Sequence, residues 1–354
     1  MLAAETSAVA ATDLTAPSSK QNPLAWKQIS GRLEPFLDAV NRRMVQQIQE
    51  FEPEIANYAE YALTAQGKQL RPVLVALSAG ATGEPNDSHV LAAVIIEMVH
   101  LATLVHDDVM DEAAIRRGRP TLAANWGNEL SVLLGDCLFA HALKLAASFP
   151  TTEICRAVSS ATNTVCSGEI LQTQRRKNFE LTREEYFKVV TMKTGELFAL
   201  SCDLGAYLSR ASTVKRSALR QFGLAIGTAY QVYDDCLDLF GSEAKAGKSL
   251  GTDLAKGKLT LPMIIAMERA TVAEREQFQA AVQDWQPENL PPVLQWLEKY
   301  DALGTARHAV HRYLGSAREA LVSLPKSESR AGLFGLTEYL AQQTDALTHH
   351  EIGI

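Results

Sequence analysis

From about Leu24 onward, apolar residues recur at intervals of three and four positions, and alanine is abundant between them. This period is typical of helices that bury one face, and no segment shows the strict alternation of a half-buried strand. The pattern therefore predicts an all-α protein built from about ten or more helices of ordinary length.

Breaks rich in glycine and proline divide the helical pattern, because these residues end helices and form turns. They fall at 83–85, 118–120, 149–150, 241–251 and 285–292. None of them has the length of a domain linker, and the polar motifs on either side depend on one another. A single domain over residues 25–354 is therefore predicted. Residues 1–24 are small and polar and are interpreted as a disordered tail.

The composition narrows the class of protein. Of the 354 residues, 47% are hydrophobic and 21% are charged, as in a soluble globular protein. The net charge of −7 disfavours a general nucleic-acid binder. Five dispersed cysteines without a C-x-x-C pair indicate thiols in a reducing compartment. No apolar run reaches the length expected of a membrane span and no secretion signal is evident, so a cytoplasmic location is expected.

Two acidic motifs with the same spacing give the strongest signal. "DDVMD" at 107–111 and "DDCLD" at 234–238 each end an apolar helical stretch. At about 100° per residue, the three acids of each motif share one helix face. Carboxylates suit Mg²⁺, which completes its shell with water and phosphate oxygens. Two copies favour metal clusters over solvated acidic faces. The candidate metal ligands are Asp107, Asp108, Asp111, Asp234, Asp235 and Asp238.

Metal binding alone does not explain the basic residues near glycines in the same regions. They are Lys68, Arg71, Arg116, Arg117, Lys193, Lys248 and Lys258. Arginine can hold phosphate oxygens with two N–H groups, and lysine acts as a point charge. Together with the acids, these cations suggest a cavity for diphosphates. His100 and Thr103 lie about 20° and about 40° from Asp107 on the helical wheel. His100 is then either a ligand-facing residue or a satisfied core histidine.

The ordered motifs resemble the trans-polyprenyl diphosphate synthase family, from about Leu33 to about Leu340. The segments that carry the resemblance are "GKQLRP", "HLATLVHDDVMDEAAIRRGRPT", "LLGDCLFA", "SGEILQ", "KTGELF", "YQVYDDCLD" and "GTDLAKGKLTLP". The resemblance implies the isoprenoid-synthase fold, a helical bundle around a central cavity. It also implies that the chain condenses isopentenyl diphosphate with an allylic diphosphate, using several Mg²⁺ ions per active site. A homodimer is implied as well, with peripheral membrane contact for product release.

The resemblance assigns roles to matching positions. Five acids would hold Mg²⁺ against the allylic diphosphate: Asp107, Asp108, Asp111, Asp234 and Asp235. Four cations would contact the same diphosphate: Arg116, Lys193, Lys248 and Lys258. A second basic group would hold the diphosphate of isopentenyl diphosphate: Lys68, Arg71, His100 and Arg117. The residues expected to carry catalysis are Asp107, Asp108, Asp111, Arg116, Lys193, Asp234 and Lys248. Asp238 would lie behind the metal ligands, Thr194 and Gln231 would line the pocket, and Gln172 would lie near the acids.

The residues before the first acid bear on product length. In the family that the chain resembles, a bulky residue four or five positions before this acid closes the product pocket. Thr103 and Ala102 stand at these positions, and neither is aromatic. A pocket deeper than that of a farnesyl synthase is therefore implied, as in medium- and long-chain synthases that make octaprenyl or solanesyl diphosphate.

Three other interpretations remain open at this point. A class I terpene cyclase would share the fold and the first motif, although its second metal motif usually differs from a full D-D-x-x-D. A non-catalytic subunit of a heteromeric synthase would tend to lack one acid cluster. A purely structural helical protein would carry the acids as surface charges, so that their removal would change no activity.

Overall fold

The structure, a computed structural model, describes residues 24–63, 67–241 and 250–347. All but the last residue of the predicted N-terminal tail lies outside the described residues, and so does Lys248. The described chain is almost entirely helical, which confirms the all-α prediction.

The helices follow one another with short connections. They are α1 (Leu24–Arg32), α2 (Glu34–Ile48), α3 (Pro53–Leu63), α4 (Leu70–Thr82), α5 (Asp87–Met110), α6 (Leu122–Trp126), α7 (Asn128–Ala147), α8 (Thr152–Gln174), α9 (Arg183–Val190), α10 (Glu196–Leu208), α11 (Thr213–Phe240), α12 (Thr252–Ala255), α13 (Leu261–Arg269), α14 (Val272–Gln283), α15 (Leu290–Lys299), α16 (Ala302–Ala320) and α17 (Glu328–Asp345). A π-helical turn at Thr191–Gly195 joins α9 to α10, and a 3₁₀ turn at Pro287–Asn289 precedes α15.

A short hairpin departs from the all-helical expectation. Strands β1 (Ile115–Arg116) and β2 (Arg119–Pro120) pair antiparallel directly after α5. The two residues between them, Arg117 and Gly118, have φ angles of 52° and 75°. Two successive positive φ angles form the turn that matches the twist of a hairpin, and glycine favours it. The two neighbouring arginines consequently reach different parts of the cavity described below.

One connector between helices is shorter than the sequence pattern predicted. The glycine and proline pattern predicted a connector over residues 285–292, but α15 already begins at Leu290. Pro291 and Pro292 therefore lie in its first turn. Proline is tolerated there because the first N–H groups of a helix have no partner within the helix.

Helix α10 is apolar on two opposite faces because it lies between two hydrophobic cores. One face packs into a core shared with α2, α5, α7 and α8, through Leu197, Leu200 and Leu204. The opposite face packs into a core shared with α4, α11 and α13–α17, through Phe198, Cys202 and Ala206. A helix with apolar residues on opposite faces is expected in such a buried position. This helix also follows directly from the π-helical turn, so the turn is anchored in both cores.

Helix α5 is a second central element. Its middle residues 92–99 are buried on every side, and the helix ends in the first acidic motif. By length and composition, α5 and α7 could each cross a membrane, so the expectation of no sufficiently long apolar run is wrong on this criterion. In the protein, 67% of the apolar stretch of α5 and 44% of that of α7 are buried. The long apolar stretch of α5 is therefore explained by its position as a core helix of this bundle.

Glycine permits close helix contacts around α10. A Cβ atom at Gly223 of α11 would lie 2.5 Å from the Phe198 carbonyl oxygen and 2.7 Å from the Ala199 Cα. A Cβ atom at Gly168 of α8 would lie 2.9 Å from the Lys193 backbone nitrogen. Since backbone atoms cannot move aside cheaply, α8 and α11 approach the π-helical turn and α10 this closely only with glycine at the contact.

We expect Gly223→Ala to lower the free energy of unfolding by about 1–3 kcal/mol, because the added methyl group meets backbone. Gly315→Ala on α16 is the matched control, since a Cβ there meets nothing within 4 Å. In a helix interior this control should be neutral or stabilising by up to about 1 kcal/mol. Urea unfolding measures both values, and an equal effect at the two sites would contradict the close packing.

Candidate active site

A cavity of about 1450 Å³ opens at the end of α5 and α11 that carries the acidic motifs. Its walls come from α4, α5, the hairpin, α7, α8, the π-helical turn, α10 and α11. Eleven residues of α5 between Glu97 and Met110 line it, among them His100, Thr103 and Asp107. The helical wheel predicted that His100 and Thr103 continue the face of Asp107, and all three line the cavity.

The π-helical turn brings Lys193 and Thr194 to the cavity. Lys193 Nζ lies 3.6 Å from an Asp107 carboxylate oxygen, donates a hydrogen bond of 3.0 Å to the Gln172 side-chain oxygen, and forms an ion pair with Glu169. Burial opposes the charge of Lys193, but Asp107 and Glu169 outweigh it and raise the pKa of Lys193 above its ordinary value. The ammonium group is therefore a fixed positive charge beside the first motif. π-Helical turns occur frequently at functional sites.

Cations surround the other two acids of the first motif. Arg116 Nε donates a hydrogen bond of 2.7 Å to Asp108 Oδ1, and Arg116 Nη2 lies 2.7 Å from the same oxygen as an ion pair. Burial raises the pKa of Asp108, and the bonds from Arg116 offset only part of that effect. Asp111 accepts a bond of 2.8 Å from Arg176 and one of 2.7 Å from Lys258. Burial also opposes ionisation of Asp111, but Lys258 and other lysines outweigh it and lower the pKa of Asp111.

A hydrogen-bonded chain holds Asp235 of the second motif. Thr194 Oγ1 donates to the Gln231 side-chain oxygen at 2.7 Å, and Gln231 Nε2 donates to Asp235 at 2.8 Å. The Tyr186 hydroxyl donates to the other Asp235 oxygen at 2.5 Å. Burial and then the neighbouring charge of Asp253 raise the pKa of Asp235 to about 8. The chain connects the π-helical turn to the second acidic motif.

The remaining acids of the second motif differ in placement. Asp234 lines the large cavity, as predicted. Asp238 is 1% exposed, accepts a hydrogen bond of 2.6 Å from the Thr252 hydroxyl, and accepts a second of 3.1 Å from the Asp253 backbone N–H. It therefore holds the start of α12 and is not among the residues that line the cavity. The assignment of Asp238 as a direct metal ligand does not agree with this placement.

A second group of cations lies deeper along α5, away from the first motif. Arg71, His100 and Arg117 line the same cavity as Lys68. Burial, followed by the charges of Arg71 and Arg117, holds the pKa of His100 well below its usual value, so the imidazole is neutral. Arg117 packs against Gly67, where a Cβ atom would lie 2.5 Å from its guanidinium. The hairpin thus directs Arg117 to this group and Arg116 to Asp108.

Lys68 is held by the last described helix. Its ammonium donates a hydrogen bond of 2.8 Å to the Tyr339 hydroxyl and lies 5.2 Å from the centre of the Tyr339 ring. The contact links the loop before α4 to α17. Lys68 is exposed, so its charge is available to the cavity.

The two positions predicted to set product length differ in whether they line the cavity. Thr103 lines the cavity, and its hydroxyl donates to the His100 carbonyl oxygen at 2.7 Å. Ala102 is fully buried in the core of α5 and is not among the described residues that line the cavity. The apolar part of the wall includes Phe139 of α7 and Val165 of α8. Thr103 is thus the position of the two that faces the space where a product would lie.

The donor set suits hydrated Mg²⁺. Among the described residues, no group of three or more acidic, histidine or cysteine side chains is arranged to hold a metal ion by itself. Mg²⁺ does not need such a group, because it binds through one or two carboxylates and takes its other ligands from water and phosphate. Asp107, Asp108, Asp111 and Asp234 place carboxylates on one cavity with room for a diphosphate. These carboxylates therefore suit a Mg²⁺ ion that binds together with the substrate diphosphate.

Sequence reasoning missed several residues that hold the acids and cations in place. They are Glu169, Arg176, Tyr186, Asp253 and Lys256. Glu169 lies within "SGEILQ", three residues before Gln172, so helical spacing from Gln172 would have indicated it. Tyr186 reaches Asp235 across 49 residues of sequence, and no local spacing signals this contact.

The fold and the cavity define a class of protein. A helical bundle presents the first acidic motif, Asp234 of the second motif and two groups of cations to one cavity, an arrangement suited to an enzyme that handles two diphosphate esters. A model of the polyprenyl synthetase family matches residues 52–297. The chain belongs to this family, so the resemblance and the predicted prenyltransferase function are confirmed.

Individual relatives align over most of their length. Heptaprenyl diphosphate synthase component 2 of Bacillus subtilis is 32% identical, over 91% of this chain and 92% of the relative. Octaprenyl diphosphate synthase of Escherichia coli is 32% identical, over 86% of this chain and 94% of the relative. The crystal structure of a decaprenyl diphosphate synthase from Rhodobacter capsulatus superposes with a TM-score of 0.85 at 33% identity, over 90% of this chain and 99% of the other.

The raised pKa of Asp235 predicts a pH dependence of stability in protein kept free of divalent cations with a chelator. The folded state retains the Asp235 proton between the ordinary value of 3.8 and about 8, whereas the unfolded state has lost it. The stabilisation is present below this interval and is lost as the pH rises through it. Urea unfolding should therefore show wild type losing more stability than Asp235→Asn between about pH 5 and about pH 8.

Asp284→Asn provides the control for this measurement, because Asp284 is exposed and lies outside the cavity. It should keep the wild-type slope of stability against pH. If Asp235→Asn keeps that slope as well, Asp235 is ionised in the folded protein and the prediction is wrong.

Proposed function

We propose that the chain is a Mg²⁺-dependent trans-prenyltransferase that condenses isopentenyl diphosphate with an allylic diphosphate. The product is a polyprenyl diphosphate longer than farnesyl diphosphate. The observation that carries the proposal is the single cavity that is lined by the first acidic motif, by Asp234 of the second motif and by two groups of cations. Each group of cations suits one diphosphate.

The allylic diphosphate lies at the acidic motifs. Lys193, Arg116 and Lys258 already contact the carboxylates there, so they are placed to bind phosphate oxygens that join the site. Mg²⁺, when bound, draws charge from the diphosphate and makes it a better leaving group. Fixed positive charges stabilise the negative charge that develops on the departing diphosphate. The two roles explain why the site contains both carboxylates, which suit Mg²⁺, and cations, which stabilise the diphosphate.

Isopentenyl diphosphate lies at the second group of cations. Arg71, Arg117 and Lys68 hold its diphosphate, and neutral His100 can donate or accept a hydrogen bond beside them. The allylic C–O bond breaks to give released diphosphate and an allylic cation, and the double bond of isopentenyl diphosphate adds to that cation. The resulting cation then loses a proton to the released diphosphate, which completes the condensation. No protein nucleophile takes part. Apolar residues of the cavity wall, such as Phe139 and Val165, protect the cation from water.

The apolar wall also favours a long product. Thr103 is small, and the cavity of about 1450 Å³ extends past it to Phe139 and Val165. The relatives described above are named for heptaprenyl, octaprenyl and decaprenyl products. We therefore place this chain among the medium- and long-chain synthases.

The assembly we propose is a homodimer in the cytoplasm, with peripheral membrane contact for product release. Leu133 of α7 is 64% exposed and does not line the cavity, as an apolar residue at a subunit interface would be in an isolated chain. A heteromeric enzyme is the alternative, since one relative is named as a component. Restoration of activity only by a second, different chain would favour it.

Removal of either acidic motif should abolish turnover without unfolding the protein. Asp107→Asn and Asp234→Asn are each expected to reduce kcat by about 10²–10³-fold or more, because charge stabilisation in the transition state is lost. Chelation of divalent cations should stop the wild-type reaction, and Mg²⁺ should restore it. Incorporation of labelled isopentenyl diphosphate measures these rates.

The exposed Asp284→Asn again provides the control and should keep wild-type activity. Wild-type rates in both motif variants would support a purely structural role for the acids. Release of a hydrocarbon or alcohol from farnesyl diphosphate alone would support a terpene cyclase instead.

Bulk at position 103 should shorten the product. Thr103→Phe places an aromatic ring in the cavity wall, so chain growth should stop earlier than in wild type, whose product should exceed the 15 carbons of farnesyl diphosphate. Chromatography of labelled products measures the length. Val272→Phe, at a residue that is 72% exposed and does not line the cavity, is the matched control and should leave product length unchanged. An unaltered length in Thr103→Phe would show that another surface ends chain growth.

A further inference from the structure

Glu97 is an acid placed among cations. It lies on α5 ten residues before Asp107 and lines the cavity beside Arg71, His100 and Arg117. An anionic substrate group would bind here, so a carboxylate at this position opposes binding by simple charge. Neither the acidic motifs nor the proposed chemistry requires it.

The side chain is buried without full hydrogen bonding. Glu97 is 8% exposed, and its Oε2 atom has no hydrogen-bond partner among the described residues. Burial raises the pKa of Glu97, whereas the charges of Arg71 and Arg117 lower it. An unpartnered buried carboxyl group is costly, so its presence in the site requires a compensating role.

The two neighbouring arginines, Arg71 and Arg117, are positive charges that are partly buried near each other. Burial lowers the pKa of Arg71, Arg117 lowers it further by repulsion, and Glu97 opposes both effects. The Arg71 guanidinium lies 5.0 Å from the centre of the Phe198 ring, and its Nε atom is buried without a hydrogen-bond partner. Without a negative charge nearby, two partly desolvated guanidinium groups would repel each other and turn toward water.

We propose that Glu97 is a positioning residue that balances the charges of Arg71 and Arg117 and keeps both guanidinium groups directed at the second diphosphate. It acts through the arginines and does not itself contact the reacting atoms. The inference rests on the proposed function, because that proposal assigns these arginines to isopentenyl diphosphate.

The decisive variant is Glu97→Gln, which keeps the shape of the side chain and removes its charge. The KM for isopentenyl diphosphate should rise by about tenfold or more, while the KM for the allylic diphosphate should stay within about twofold. The thermal unfolding temperature should be unchanged or higher, since a buried amide costs less than a buried carboxylate. A residue that served only the fold would give the opposite result, a lower unfolding temperature with an unchanged ratio of the two KM values.

Three further variants complete the test. Glu97→Asp keeps the charge and should restore part of the affinity for isopentenyl diphosphate. Glu97→Met, which also removes the charge, replaces Glu97→Gln if that variant does not fold. His89→Gln alters another buried polar residue of α5, about 12 Å away along the helix, and should leave the ratio of KM values unchanged.

The outcomes separate this inference from the proposed function. If wild type forms no product from the two diphosphates, the proposed function fails. If wild type turns over and folded Glu97→Gln keeps the wild-type KM for isopentenyl diphosphate, only the role of Glu97 is overturned. Equal increases in both KM values would overturn it as well, because the effect would then not be confined to one diphosphate.

Discussion

The ion pairing around Lys193 is the interaction on which the rest of the site depends. One ammonium group contacts Glu169 and Gln172 of α8 and lies 3.6 Å from Asp107 of α5. Helix α5 carries the first acidic motif, and α8 and the π-helical turn that carries Lys193 form one wall of the cavity. Several carboxylates can remain close together in a partly buried site because such cations offset their repulsion and their loss of hydration. Substrate phosphates can then exchange with carboxylates as partners of the same cations.

The backbone makes this pairing geometrically possible. Lys193 and Thr194 lie on a π-helical turn between α9 and α10, and Gly168 lets α8 approach the backbone of that turn. The turn continues into α10, which packs into both cores. The positions of the charged groups are therefore set by close packing of apolar helices. A polar site of this kind requires rigid support, because small displacements of charge change its electrostatics.

The sequence predicted those parts of the molecule that depend on local spacing. The repeated D-D-x-x-D pattern and the helical wheel of α5 predicted one face for His100, Thr103 and Asp107, and all three line the cavity. Contacts between distant segments could not be read in this way. Asp238 has the same spacing in its motif as Asp111, yet it holds the start of α12 because Thr252 and Asp253 happen to meet it in the fold.

The length of α5 relates the two diphosphate groups to each other. Glu97 and Asp107 are ten residues apart on one helix, so their positions differ by about 15 Å along its axis. A single rigid helix thus fixes the separation between the acidic motif and Glu97, which faces Arg71 of α4 and Arg117 of the hairpin. Because both ends belong to one element with a buried middle, neither can shift without moving the other. The relative placement of two substrates can then be held by the fold before either one binds, which lowers the entropic cost of bringing their reacting carbons together.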